Sequence, residues 1–295
     1  MDVCYSRIAS PSGCAAVFHS GAEQDEMRKL LAGLVCALTT LSGEIAEAQY
    51  RARRQSDPAT GETYNLEFSA GYWNPTPEIL ITSESINIPG DEIDLVGDLG
   101  ITKKRFRDIR LVLRPGRKHK LRFSYIPIKY SSDTILQRSF VFNGQRYNVG
   151  LPVQTELDWK AMRFGYEYDF IYRDRGFVGF ILEAKYTDVK VSLASPLVFE
   201  FAEARAPIPA IGGIGRAYLL PNLSATFELT GFKLPNVDEE YKAKYLDLDL
   251  YGTLNFTNNV GVQVGFRRLD ISYVVDLDVG DLALKGPYFA GVVRF

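Results

Sequence analysis

The chain has 295 residues, 46% hydrophobic and 24% charged, a balance that excludes disorder and allows one large β-domain or two ordinary ones. Its formal charge of −2 gives no basic excess for nucleic acid, and no apolar run reaches the roughly 18 residues that a membrane-spanning helix needs. Aromatic residues make up 13%, with 17 Tyr and 18 Phe, a content that suits strands.

The N-terminal region reads as a targeting segment. Residues 1–26 lack an apolar pattern and include Glu23, Asp25 and Glu26, so they read as a mis-called extension ahead of a true start at Met27. Met27-Arg28-Lys29, the apolar stretch Leu30 to Leu41, and the small-x-small site Ala46-Glu47-Ala48 come in the order of a signal peptide over 27–48. Cys4, Cys14 and Cys36 all precede that site, so the processed chain is expected to hold no cysteine, disulfide or Cys-ligated metal. The first 48 residues carry three Lys or Arg and six Asp or Glu, which leaves 31 and 30 beyond them.

Residues 49–62 are polar, with Arg51, Arg53, Arg54, Pro58 and Gly61, and read as a flexible periplasmic leader. The barrel-forming region is expected over 63–295. Tyr64, Leu66, Phe68, Ala70 and Tyr72 alternate with polar residues, which predicts a first strand, because side chains on a strand repeat with period two. Residues 74–104 read as a long connection, with Glu92 to Gly100 either a lining strand or an inward-folded loop.

Ile109, Leu111 and Leu113 predict a second strand, turned by Pro115-Gly116-Arg117-Lys118 into Leu121, Phe123 and Tyr125. That third strand is expected to run on through Phe140 and Phe142 to the hairpin dipeptide Asn143-Gly144. Met162, Phe164, Tyr166, Tyr168, Phe170 and Tyr172 return, and after Arg173 to Gly176 come Val178, Phe180, Leu182, Ala184 and Tyr186. Residues 195–209 read as a Pro-bearing loop, followed by a weaker strand at Gly213, Gly215, Ala217 and Leu219. Leu223 to Leu229, Leu246 to Phe256 and Val260 to Phe266 complete the count before the last strand. Apolar parity switches at Leu269, Ile271 and Tyr273, which points to a bulge or to the end of the membrane-facing part.

The last strand ends on Phe289, Gly291, Val293 and Phe295, alternating with Tyr288, Ala290, Val292 and Arg294. This resembles the closing strand of Gram-negative outer-membrane β-barrels, in which a terminal Phe ends an amphipathic strand recognised by the assembly machinery. The resemblance implies outer-membrane location, lipid around the wall and the barrel-assembly machinery as partners. Connection lengths agree: turns near 115–118, 173–176, 220–222 and 257–259 are tight, while those near 74–104, 131–152, 195–205, 234–240 and 277–281 are mostly longer. The expected fold is all-β: a closed antiparallel up-and-down transmembrane β-barrel of about ten strands, with eight or twelve as alternatives.

In such a barrel the charges at strand centres face the lumen. These are Glu67, Arg110, Arg122, Arg163, Glu167, Asp169, Glu183, Lys185, Arg216, Glu228, Asp247, Asp249, Arg267 and Arg294. At this strand number the interior is narrow enough to be filled by side chains, so a salt-bridged filling is expected, with passage of a small solute as the functional alternative. A surface anchor or adhesin, acting on an extracellular partner through the long loops, is the second reading. Barrel lipases, deacylases and omptin-like proteases resemble one another in needing a histidine to move protons. Here His19 precedes the signal segment and His119 lies beside a tight turn on the periplasmic side, so no enzyme is expected. A hydrolase using only Glu167, Asp169 or Glu183 is the third and weakest reading. No cofactor or metal is expected, since Asp94 and Asp98 lack the spacing of a calcium loop.

Overall fold

The computed structural model describes residues 59–82, 90–196, 198–234, 241–275 and 278–295. The extension at 1–26, the signal segment at 27–48 and the leader as far as residue 58 lie outside the described residues.

Ten strands close into one antiparallel barrel: β1 (Leu66–Trp73), β4 (Phe106–Gly116), β5 (His119–Ile135), β8 (Pro152–Arg173), β9 (Gly176–Ala194), β10 (Phe199–Leu220), β11 (Leu223–Lys233), β12 (Tyr241–Asn255), β13 (Val260–Val275) and β14 (Asp278–Arg294). β1 pairs with β14 from Glu67↔Arg294 to Trp73↔Tyr288, which seals the cylinder. Closure removes the exposed sheet edge that an open sheet of this size would carry. Four short strands stand outside the ring. β2 (Thr76–Thr82) pairs with the upper half of β14, and β3 (Ile93–Asp94) pairs with β2. β6 (Phe140–Phe142) and β7 (Gln145–Tyr147) form a separate hairpin.

β1 and β2 keep one register along β14, so they act as one strand broken at Asn74-Pro75 opposite Gly286-Pro287. Prolines on both sides delete ladder donors there, and the pairing survives through the Asn74 N–H to the Pro287 carbonyl at 3.0 Å. The lining strand expected in 92–100 reduces to β3 and a turn. The Asp94 side chain accepts from the Val96 N–H at 2.9 Å, and Arg138 bonds Asp98 at 2.9 and 2.6 Å. Hydrogen bonds from Arg138 hold the Asp98 carboxyl below its usual range.

Several sequence expectations need correction. β5 ends at Ile135, so Phe140 and Phe142 belong to their own hairpin and not to a continuing third strand. The Asn143-Gly144 turn does form, with φ of 48° and 76°, both positive as a two-residue hairpin of this type requires. Residues 199–209 are strand and not loop. β11 pairs with β10 only from Ile211, so Pro207 and Pro209 lie where β10 bonds β9 on one side and no β11 residue on the other. Proline is tolerated at such an edge because no ladder bond is lost. At Leu269 no bulge occurs, since β13 keeps an unbroken register with both neighbours, out to Val275↔Asp278 on the β14 side. The alternative reading, an end to the lipid-type exterior, fits: Leu269 and Ile271 share the inner face with Arg267, while Arg268 turns outward. The longer connection expected near 277–281 is not found, since β13 runs to Val275 and β14 begins at Asp278. The one register shift in the long β8/β9 pair lies between Tyr168 and Ile171, and it leaves Phe170 and Ile171 both exposed.

The wall has two chemistries. Phe68, Tyr72, Phe164, Phe180, Leu182, Phe227, Leu250, Val262, Phe266 and Phe289 point outward and are exposed. On β9 this band runs from Val178 to Tyr186, close to the length of about 9–11 residues that a tilted strand needs to cross hydrocarbon. The band lies toward the end that carries the tight turns. Toward the other end the outer face becomes polar and the interior becomes an apolar core, including Trp73, Ile79, Leu99, Ile128, Phe140, Phe142, Trp159, Leu193 and Leu282. The hairpin β6–β7 inserts its Phe140, Phe142 and Tyr147 into that core, and the Tyr147 hydroxyl donates to the Leu193 carbonyl at 3.2 Å.

Candidate functional site

Strand alternation that sends Phe and Leu outward sends the intervening residues into the lumen. All fourteen charged residues singled out from the sequence point inward and are buried or nearly so. Within the apolar band they form one lattice. Lys120 hydrogen-bonds Glu167 at 2.6 Å and forms an ion pair with Asp169 at 2.9 Å; Arg122 bridges Glu167 at 3.0 Å and Glu228 at 2.6 Å. Arg163 reaches Glu228 at 3.8 Å and Asp247 at 3.1 Å. Asp247 also takes Lys185 at 3.0 Å and two bonds from Arg267 at 3.0 and 2.8 Å, so three cations converge on one carboxylate. Arg267 leads on to Asp108 at 4.0 Å, Asp108 to Arg110 at 2.6 Å, and Arg110 to Asp249 at 2.8 Å, where the Tyr288 hydroxyl donates at 2.8 Å. Glu183 joins through Lys185 at 3.1 Å. Two pairs stand apart toward the tight-turn end: Arg294 with Glu67 at 2.5 Å, and Arg216 with Glu62 at 3.4 Å.

The sequence reading missed Asp108, Arg114, Lys120 and Glu62. The first three share inward parity with Arg110 and Arg122, so strict alternation would have found them. Glu62 precedes the first strand and had no such signal. It corrects the leader: Ala59 to Tyr64 are built into the barrel end. The Thr60 N–H donates to the Pro221 carbonyl at 2.8 Å, the Tyr218 hydroxyl donates to Glu62 at 2.7 Å, and Arg114 donates to the Glu62 carbonyl. Tyr64 belongs to this cap and not to the outer face of β1, with the guanidinium groups of Arg114 and Arg294 at 5.3 and 5.7 Å from its ring.

Counting these, nine basic side chains face nine carboxylates, so the filled interior is neutral among the described residues. Aromatic rings take the cation faces left open: Lys120 lies 3.5 Å from the Phe177 centroid, Lys185 4.3 Å from Tyr245, and Arg110 4.7 Å from Tyr288. Charges taken from water in this way are tolerable only when paired and hydrogen-bonded on most sides. Little space remains. A cavity of about 30 Å³ lies among Glu67, Ser69, Arg110, Arg163 and Gln263, and one of about 10 Å³ lies between Trp159, Lys185 and Arg267. The larger has room for about two water molecules, since one needs roughly 10–15 Å³ of such space.

No group of three or more His, Cys, Asp or Glu among the described residues is arranged to hold a metal ion. His119 is exposed at the tight-turn end, with Nδ1 2.6 Å from the Tyr166 hydroxyl and away from the carboxylate lattice. The terminal residues Phe289, Val293 and Phe295 are exposed on the outer face of β14, in line with Gly291.

No family model and no curated protein matches the chain. Among solved structures it is similar to the outer-membrane protease OmpT of Escherichia coli, at 8% identity and a TM-score of 0.49, over 78% of this chain and 97% of that one. It is also similar to the toluene transporter TodX of Pseudomonas putida, at 8% identity and a TM-score of 0.34, over 82% of this chain and 93% of the other. A third is Ail, the attachment invasion locus protein of Yersinia pestis, at 10% identity and a TM-score of 0.31, over 77% and 99%. No activity passes from these proteins to this chain.

Proposed function

We propose that the chain is an integral outer-membrane β-barrel whose lumen stays closed, and that it acts as a membrane-held scaffold for the sheet and hairpin beyond the apolar band. The filled interior carries this reading. From the tight-turn end inward, the cap of Glu62 and Tyr64, the ion-pair lattice and the apolar core follow one another. The gaps of about 30 and 10 Å³ offer a hydrated ion no room to pass. The location rests on the exposed apolar band and on the outward Phe295 that follows β14. Lipid of that membrane lines the band, and Phe289, Gly291, Val293 and Phe295 offer the signal to the assembly machinery.

What stands beyond the band is well tied down. β8, β9 and β10 extend past it as one sheet, and Asn143 at the hairpin tip bonds Glu200 at 3.1 Å. A braced surface of this kind suits presentation to an extracellular partner better than it suits a gate. Catalysis is not part of the proposal. In a planar lipid bilayer the purified, processed protein is expected to give no discrete current steps. Reproducible single-channel steps would overturn the closed lumen and restore solute passage.

A further inference from the structure

Beyond the apolar band β10 has a ladder on one side only. From Phe199 to Ala210 it pairs with β9, and β11 joins it only at Ile211, opposite Gly231. At about 3.3 Å per residue the open edge is roughly 40 Å long among the described residues. Such an edge is a template for another strand, and proteins guard it with proline or charge. Here the guard is uneven. Pro207, paired with Tyr186 at the end of the band, and Pro209 close the lower part, because neither has an N–H to give. Backbone groups alternate in direction along a strand, so the N–H groups of Phe201, Glu203 and Arg205 face the same open side as those two proline nitrogens. The Phe201 carbonyl accepts a long bond from Asn143 Nδ2 at 3.4 Å, and no second strand meets this edge among the described residues.

The side chains along the edge are of two kinds. Toward the tip, Phe199 and Phe201 are 61% and 46% exposed, with their rings 6.4 Å apart. Arg205 is taken by Glu203 and by Asp188 at 3.3 Å. At the foot of the open stretch the charge is basic. Lys233 ends β11, Lys244 pairs across from it, and Lys242 lies two residues further along β12. All three are exposed and have no carboxylate partner among the described residues.

We propose that this edge takes up an extended segment of an extracellular protein as an added antiparallel strand, acidic at its N-terminal end and apolar at alternate positions after it. An antiparallel addition runs in the direction of β11. Its first residues therefore lie beside the three lysines, which supply the charge complement, and its later ones lie beside Phe201 and Phe199. Main-chain hydrogen bonds hold the segment, while the lysines and the two rings select it. The proposal names a partner class for the sheet held out beyond the band, and it rests on that reading of the sheet.

The test selects random ten-residue peptides, displayed on phage, against the purified, processed protein in phosphatidylcholine nanodiscs. Enriched peptides are synthesised with a fluorophore and titrated by anisotropy. They should carry Asp or Glu near the N-terminus and alternating apolar residues after it. N-methylation of alternate residues in one register should weaken binding at least about tenfold, because several hydrogen bonds are lost together, and in the other register should change it little. Glu203→Pro, which puts a third proline on the open side, should weaken binding at least about tenfold. The triple variant K233Q/K242Q/K244Q should remove the preference for acidic peptides. Lys129→Gln, on β5 at the far side of the same sheet, should change nothing. No enrichment over empty nanodiscs, equal loss from both methylation registers, binding that survives Glu203→Pro, or an acidic preference that survives loss of the lysines overturns the proposal and leaves the closed barrel standing. So does a nanodisc population holding two copies that Glu203→Pro converts to one, since a second copy then fills the edge. Heat-modifiable gel mobility shows that each variant has folded, and the methylated peptides need no variant at all. Single-channel steps would overturn the closed scaffold itself, whatever the peptides do.

Discussion

Asp247→Asn is expected to lower sharply the temperature at which the folded barrel loses its detergent-resistant gel mobility. Asp247 is 2% exposed and receives Arg163, Lys185 and Arg267. Asparagine keeps the shape and one acceptor but removes the charge that three buried cations share. Removing one partner of a buried pair leaves an uncompensated charge, at a cost of about 3–5 kcal/mol. The effect should be less than additive with its neighbours. Lys185→Met in the same chain removes one of the stranded cations, so the double variant should recover part of the loss. A wild-type melting position for Asp247→Asn would mean that water reaches the lattice and that the lumen is not closed.

Gly71→Val is expected to prevent closure of the barrel. Gly71 lies in the β1–β14 seam, paired with Ala290. A Cβ there would lie 2.0 Å from the Phe289 carbonyl oxygen and 2.5 Å from the Ala290 Cα. Both are backbone atoms and cannot swing aside as a side chain could. The penalty is set at about 3 kcal/mol or more, the upper end of overpacking costs, and it falls on the seam that completes the ring. Loss of the fast-migrating unboiled band and rapid proteolysis are the expected results. Gly215→Ala is the matched control, since a Cβ at Gly215 meets nothing within 4 Å. A Gly71→Val protein that folds and resists protease as wild type does would show that the seam is not where the barrel closes.

The fold was legible where one periodicity governs one face. Val178 to Tyr186 and Val260 to Phe266 alternate cleanly because lipid-type exterior and charged interior differ at every step. The same alternation places Arg163, Glu183 and Arg267 inside. Legibility fails where the exterior turns polar. Beyond Arg268 the inner face becomes apolar, so Leu269 and Ile271 look like a change of parity although the backbone continues unbroken. Pro207 and Pro209 look like a loop because sequence does not reveal that β11 ends early and frees the edge of β10. Phe140 and Phe142 have the strand character assigned to them, but their hairpin pairs with itself. For Glu62 the position depends on Arg216 and Tyr218, more than 150 residues away in sequence, and no local pattern carries that.

The central claim is a partition, with apolar side chains against hydrocarbon and ionised ones enclosed. A single-cysteine scan along β9 from Val178 to Tyr186, in the processed chain reconstituted in liposomes and carrying nitroxide labels, tests it directly. Collisions with membrane-dissolved oxygen should be frequent at 178, 180, 182, 184 and 186 and rare at 179, 181, 183 and 185, a period of two. If the even positions instead collide freely with a water-soluble nickel chelate, that face of β9 lies in water and the partition is wrong.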